Sequence, residues 1–288
     1  MPNKPSGKAA TEKSGSTTDV VLVEIKDEIA WVTLNRPEKR NAMNPALNAR
    51  MLEVLDEIEA RDDVKIMVLT GAGESFSAGM DLKEYFREPE AEGRAATLRA
   101  RRAAYEWYAN RLVYFEKTTI AMVNGWAFGG ALTPIVSCDL SIAADEATLG
   151  VSEINWGILP GGNVTKALAM KLRQSDALYY IMTGEPFDGK RAAEIGLVNE
   201  SVPRAQLKQR VTALCEVLKQ KNPHVLKAAK DSFKRARELT WEQSVEYLVA
   251  KQGELNHIDK TKGRQQGMKQ FLDDKSFRPG LETYKIDD

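Results

Sequence analysis

From Val20 onward the apolar residues crowd into two short runs, VVLVEI and IAWVTL, on either side of Lys26-Asp27-Glu28, and Pro37 closes the second. Runs of this length bounded by turn residues predict two β-strands around that turn. The period then changes. In NPALNARMLEVLDEIEARDD the apolar positions Leu47, Met51, Leu52, Leu55 and Ile58 recur every three or four residues. That spacing predicts a helix, with Asn44 as its N-cap and Pro45 in its first turn. KIMVLTGAG is a continuous apolar run ending in glycines, the pattern of a strand buried on both faces. A helical region follows from about Glu92 to Phe115; TTIAMVNGWAFGG then repeats the strand and Gly-rich turn, and CDLSIAADEATLGV predicts another strand. Strands alternating with helices imply βαβ crossovers and a largely parallel sheet. Beyond about Asn199 the period is helical, with no strand expected among RAQLKQRVTALCEVLKQK, PHVLKAAKDSFKRAREL and WEQSVEYLVAKQGEL. The expected organisation is an α/β core over 19–199 and a helical region over 200–288, without solenoid repeats.

The first 18 residues are rich in Ser, Thr, Lys, Gly and Pro and nearly free of bulky apolar groups, so they are expected to form a disordered tail. They lack the apolar segment of a secretory signal and the Arg-rich pattern of a transit peptide. No apolar run is long enough for a membrane span. Cys138 and Cys215 fit no ligand or redox spacing and suit free thiols in a reducing compartment, so a cytoplasmic location is expected. Lys plus Arg and Asp plus Glu both number 41, so no net field draws the chain of 288 residues to nucleic acid or an anionic membrane.

The motifs exclude several chemistries. His224 and His257 both lie in the helical region without a second ligand candidate, which argues against a His-based metal site or a Ser–His triad. No G-x-S-x-G elbow and no Walker A lysine is present, and GAGESF has Phe76 where a dinucleotide fingerprint needs its third glycine. Chemistry is left to carboxylates, hydroxyls and backbone amides.

Two glycine-containing turns, FSAGMDLKEYF and GWAFGGAL, follow the two buried strands. At strand carboxyl ends each can aim a backbone N–H at a common point, and a helix beginning after Gly130 adds its positive end. Two donors on one oxygen make an oxyanion hole. The alternative is that the glycines only terminate strands.

In order and spacing, RPEKRNAMN, SAGMDLKEY, NGWAFGGAL, CDLSIAADEATLGVSEINWGILPGG and MTGEPFDGKRAAEIGLVNESV resemble the crotonase (enoyl-CoA hydratase/isomerase) superfamily from about Asp19 to Tyr284. GMDLKEYFRE, SEINWGI, YYIMTG, ELTWEQ and GMKQFLDDKS are most similar to its hydroxycinnamoyl-CoA (feruloyl-CoA) hydratase-lyases. The resemblance implies an α/β fold with a ββα spiral core and a helical oligomerisation region. It also implies hydration of a 4-hydroxycinnamoyl thioester, then cleavage to an aromatic aldehyde and acetyl-CoA.

By the same resemblance the amides of Met80 and Gly130 hold the thioester oxygen, and Gly129 permits the tight turn. Where simple hydratases carry two glutamates, this chain has Thr133 and Glu153. Glu153 is the expected acid/base group, in an apolar setting with Ile154, Trp156 and Ile158 that would raise its pKa. Thr133 is expected to hold water or the β-oxygen, Tyr85 to meet the ring phenol and Trp156 to line the acyl pocket. The related lyases place a tyrosine in a YLYAK segment; here it reads YLVAK, with Val249 in that place and Tyr247 two residues earlier. Lys39, Ala78 and Leu82 are expected to contact CoA, and the basic helix LKAAKDSFKRAR offers either charge for its phosphates or a solvated face. The expected partners are an acyl-CoA thioester and further copies of the chain, as a trimer or a dimer of trimers. No cofactor is expected beyond the CoA of substrate and product. Rival expectations are a hydratase, isomerase or dehalogenase on the same scaffold, or a non-enzymatic RNA-binding relative.

Overall fold

The computed structural model describes residues 19–286, so the expectation for the tail over 1–18 lies outside the described residues. β1 (Val21–Lys26) and β2 (Ile29–Leu34) form an antiparallel hairpin. Asp27 and Glu28 at its turn both take positive φ, 51° and 64°, the conformation that matches a two-residue loop to the strand twist. α1 (Pro45–Glu59) begins as expected: the Asn44 side chain accepts from the Leu47 amide at 2.8 Å, and Pro45 opens the first turn.

Three ββα units follow. Each long strand, β3 (Ile66–Gly71), β5 (Thr118–Val123) and β7 (Leu140–Ala144), leads into a three-residue strand, β4 (Ser75–Ser77), β6 (Trp126–Phe128) or β8 (Thr148–Gly150). Helical segments come after each pair: α2 (Glu88–Glu92) and α3 (Arg94–Tyr105), then α4 (Leu132–Ser137), then α5 (Val164–Lys171) and α6 (Gln174–Thr183). β9 (Phe187–Asp188), α7 (Gly189–Glu194) and β10 (Glu200–Val202) complete two sheets. The larger sheet runs β1-β2-β3-β5-β7-β10 and is parallel except for the first hairpin; the smaller runs β4-β6-β8-β9 and is antiparallel only at β8–β9. The glycine segments expected as turns therefore contain strands of a second sheet.

Two asparagines hold the crossings between the sheets. The Asn124 amide donates to the carbonyls of Gly71 and Gly73, each at 2.9 Å, and its oxygen accepts from the Thr70 hydroxyl and the Gly71 amide, both at 3.3 Å. Asn41, fully buried, donates to Ala72 O and Ser75 O and accepts from the Arg36 amide. Such bonds satisfy backbone groups that a sharp strand-to-strand corner leaves without ladder partners.

The apolar core extends from Val21 through the sheet strands to Leu207, Val211 and Cys215. These last three lie on α8 (Arg204–Lys219), so sheet and core continue past the expected boundary at Asn199. α9 (Pro223–Ala236), α10 (Trp241–Ile258) and α11 (Gly263–Leu272) follow. Two of the basic residues of α9, Lys230 and Lys234, dock on the core rather than forming a solvated face. Lys230 and Lys234 reach the two Asp139 oxygens at 2.8 and 2.6 Å, and the Arg235 guanidinium stacks 4.1 Å from the Tyr114 ring centre. The outer faces of these helices leave Phe233, Trp241, Leu248, Val249 and Phe271 exposed.

Candidate active site

Both glycine segments and the loop after β8 converge on one cavity of about 830 Å³. Its floor is Ala78-Gly79-Met80 and Phe128-Gly129-Gly130. The Met80 segment is fixed from three directions. Met80 pairs with Met43 in an isolated parallel bridge, in which the Met43 amide donates to Gly79 O at 2.8 Å and the Asp81 amide to Met43 O at 3.0 Å. The Ala78 amide donates to Arg40 O at 2.8 Å. Beneath lies buried Arg36, whose guanidinium donates to Ala42 O, Asp81 and Glu84 at 2.6, 3.0 and 2.8 Å. Burial pushes the Asp81 carboxyl up, but bonds from the Glu84 amide, Arg36 and the Lys83 amide outweigh it and hold it below the ordinary value.

Gly130 abuts Met80 directly: a β-carbon at Gly130 would stand 3.4 Å from Met80 Cγ and Cε. The two segments expected to supply the amide pair are thus neighbours, and Gly130 lies in a 3-10 turn, Gly129–Ala131, that leads into α4.

Glu153 opens a 3-10 turn, Glu153–Trp156, directly after β8. Its carboxyl packs on Gly129: a β-carbon there would fall 2.8 Å from Oε1 and 3.1 Å from Cδ. Gly129 itself has a φ of 54°, in the left-handed region that glycine adopts without strain. Glu153 Oε2 is buried with no hydrogen-bond partner among the described residues, and burial raises the carboxyl pKa above its ordinary value, opposed only by a bond from its own backbone. A raised pKa brings a carboxyl nearer to the range in which it can both give and take a proton.

Of the other expected residues, Lys39, Ala78, Leu82, Tyr85 and Trp156 line the cavity. Trp156 is 56 % exposed, a wall residue and not a core one. Thr133 is not brought to the wall. It is buried behind the glycine pair, and its hydroxyl donates to Gly162 O at 2.7 Å, a structural bond that ties α4 to the loop before α5. Val249, on α10, is 70 % exposed and does not line this cavity.

Beside the expected Tyr85, the cavity wall holds three residues the sequence did not single out, Arg101, Tyr105 and Tyr108. Tyr85 comes from a π-helical segment, Leu82–Arg87, and Tyr108 from a second, Glu106–Arg111; Tyr105 and Arg101 lie just before the latter. Burial pushes the Tyr85 hydroxyl up to about 12 and moves Tyr108 in the same direction. Arg101, Tyr105 and Tyr108 fall at i, i+4 and i+7, a helical stripe that was the available signal.

A cavity with a carboxyl over a glycine pair on a ββα core is the arrangement that the resemblance to the crotonase superfamily implies. The chain belongs to the enoyl-CoA hydratase/isomerase family, whose pattern it matches over residues 24–278. It is 57 % identical over 265 residues to the hydroxycinnamoyl-CoA hydratase-lyase of Pseudomonas fluorescens, covering 92 % of this chain and 96 % of that one. It is 32 % identical to the (E)-benzylidenesuccinyl-CoA hydratase of Thauera aromatica, covering 87 % and 95 % of the two chains. The crystal structure of an enoyl-CoA hydratase from Mycobacterium smegmatis superposes with a TM-score of 0.79 at 26 % identity, covering 89 % and 97 %.

Proposed function

We propose that this chain is a lyase that hydrates a 4-hydroxycinnamoyl-CoA and cleaves the product to an aromatic aldehyde and acetyl-CoA. The observation that carries this reading is the 57 % identity, nearly end to end, with a hydroxycinnamoyl-CoA hydratase-lyase.

The site supports a sequence with one carboxyl and one oxyanion hole. Ionised Glu153 takes a proton from water as the oxygen attacks the β-carbon, and the thioester becomes an enolate held by the Met80 and Gly130 amides. Protonated Glu153 returns the proton to the α-carbon, completing hydration. Glu153 then removes the proton of the new β-hydroxyl. The C–O bond becomes the aldehyde carbonyl, the Cα–Cβ bond breaks, and its electron pair enters the acetyl-CoA enolate in the same hole. Protonation of that enolate by Glu153 restores the starting state. The raised pKa suits a group that both gives and takes a proton. Thr133 has no direct step in this scheme, because a buried bond to Gly162 O occupies its hydroxyl proton.

Lys39, Ala78 and Leu82 take the CoA portion, and Tyr85 and Trp156 the aromatic acyl group. CoA enters and leaves with substrate and product, and no permanently bound cofactor is part of the scheme. Two free, buried cysteines accord with a cytoplasmic setting; no helix among the described residues is long and apolar enough to cross a membrane. The exposed apolar faces of α9–α11 support assembly into a trimer or a dimer of trimers. Comparing turnover of feruloyl-CoA with that of crotonyl-CoA tests the reading: a marked preference for feruloyl-CoA supports it, and a preference for crotonyl-CoA points to a plain hydratase.

A further inference from the structure

We propose that Asn155 is a positioning residue for the reaction, its side-chain amide holding in place the turn that aims the Glu153 carboxyl. The inference rests on Glu153 being the acid/base group, as read above. Glu153 has little else to aim it. Its Oε2 has no hydrogen-bond partner among the described residues, and the one bond acting on the carboxyl comes from its own backbone. The direction of the carboxyl is therefore set by the backbone that carries it.

That backbone is a single 3-10 turn, Glu153–Trp156, with none of its residues buried. Val151 before it and Pro160 after it are buried, but Ile154, Trp156, Ile158 and Leu159 between them are exposed. Core packing therefore fixes the ends of this loop and not its middle. Backbone bonds from Asn155 to Ser152 O, from Gly157 to Ile154 O and from Ile158 to Glu153 O shape the turn without tying it to another element. Bonds of the 3-10 type have poorer geometry than α-helical ones. The turn keeps its place only if something outside holds it.

Asn155 supplies that hold. Its Nδ2 donates to Gly184 O at 3.3 Å. Its amide also lies so close on Gly184 that a β-carbon there would stand 2.6 Å from Oδ1, 2.7 Å from Nδ2 and 2.8 Å from Cγ. Three amide atoms at nearly one distance mean that the flat face of the amide rests on this glycine. Gly184 is a firm seat. It is buried, it ends α6 in the left-handed conformation at φ 66°, and its amide donates to Tyr180 O at 3.1 Å. Ala177 and Tyr180 anchor α6 in the core. The short turn thus has two glycine seats, Gly129 under the carboxyl and Gly184 under the amide two residues later. Lifting the amide from its seat frees the turn and lets the carboxyl drift from the first.

The test is steady-state turnover of feruloyl-CoA and crotonyl-CoA by the wild type, Asn155→Ala, Gly184→Ala, the double variant and Glu153→Gln, with circular dichroism as a folding check. Asn155→Ala removes the amide from its seat, and Gly184→Ala pushes the amide off it. Each is expected to lower kcat by roughly tenfold with KM near the wild-type value, because the CoA-binding residues lie on other segments. The double variant should turn over no more slowly than the slower single variant, since no amide is left to displace. Hydrogen exchange at the Gly157 and Ile158 amides should quicken in Asn155→Ala. An unchanged kcat, a rise in KM alone, or losses that multiply in the double variant overturn the inference. Turnover kept by Glu153→Gln overturns the acid/base reading and this inference together. If turnover is lost in Glu153→Gln but kept in Asn155→Ala, only the inference falls. If the expected pattern appears with crotonyl-CoA alone, the lyase reading falls and the role of Asn155 stands.

Discussion

The carboxyl of Glu153 rests on the backbone of Gly129, so closely that a single added methyl would stand 2.8 Å from Oε1. Gly129→Ala is therefore expected to displace the carboxyl from the reacting centre, lowering kcat by about 10²-fold. The residue also sits at φ 54°, so the variant loses about 1–2 kcal/mol of stability. Steady-state kinetics beside thermal denaturation separate the two effects; an unchanged kcat would show that the contact is incidental.

Glu153→Gln is expected to reduce turnover by about 10²–10⁴-fold. In the proposed scheme the working base is the Glu153 carboxylate. Since burial raises its pKa, kcat/KM should begin to fall with acid at a higher pH than an exposed glutamate would set. The sign for stability is opposite. A folded pKa above the unfolded one gives a contribution fully present at low pH and lost as pH rises through the folded value. Glutamine keeps the uncharged shape, so the variant should gain Tm over the wild type near neutral pH and gain nothing in acid. A variant less stable than the wild type at neutral pH would contradict this.

Arg36 binds the loop before α1 to the segment carrying the Met80 amide through Ala42 O, Asp81 and Glu84. Arg36→Met leaves the buried Asp81 carboxylate without its cation and should cost about 3–5 kcal/mol. Asp81 has a lowered pKa, so its stabilising contribution is present above the unfolded value and lost as pH falls through the folded one. The stability difference between wild type and variant should shrink in acid. Denaturant unfolding at two pH values measures it.

Asp139 anchors α9: its oxygens accept from Lys230, Lys234 and the amide and hydroxyl of Thr119. Asp139→Asn strands two largely buried ammonium groups, and hydrogen exchange should speed in α9 before it does in the sheet. Exchange that speeds equally in both would contradict an anchor specific to α9.

Trp241, 81 % exposed, and Val249 lie on the outer face of α10. Trp241→Glu with Val249→Glu should lower the mass measured by light scattering toward a single chain, whereas the wild type should scatter as a trimer or hexamer.

Legibility from the sequence followed the length of each element. The six-residue strands β1, β2, β3 and β5 and the capped helix α1 carry periods long enough to read. The strands of the smaller sheet have two or three residues each, too short for any alternation, so Ser75–Ser77 and Trp126–Phe128 read as turns and the ββα repeat stayed hidden. β10 escaped for the same reason. Glu153 could be singled out because its motif is distinctive. Tyr108 could not, because two aromatic residues, Trp107 and Tyr108, stand side by side in a helical stretch, and only the π-helical turn decides which faces the cavity. Nor did the chain reveal that the α9 lysines have a carboxylate waiting on the core, since Asp139 lies about ninety residues away in sequence.

The most direct measurement is the stoichiometry of feruloyl-CoA turnover, following vanillin and acetyl-CoA together in the wild type and in Glu153→Gln. The account predicts equimolar release of both by the wild type and neither by the variant. Accumulation of the β-hydroxy thioester without aldehyde, or undiminished release by the variant, would contradict it.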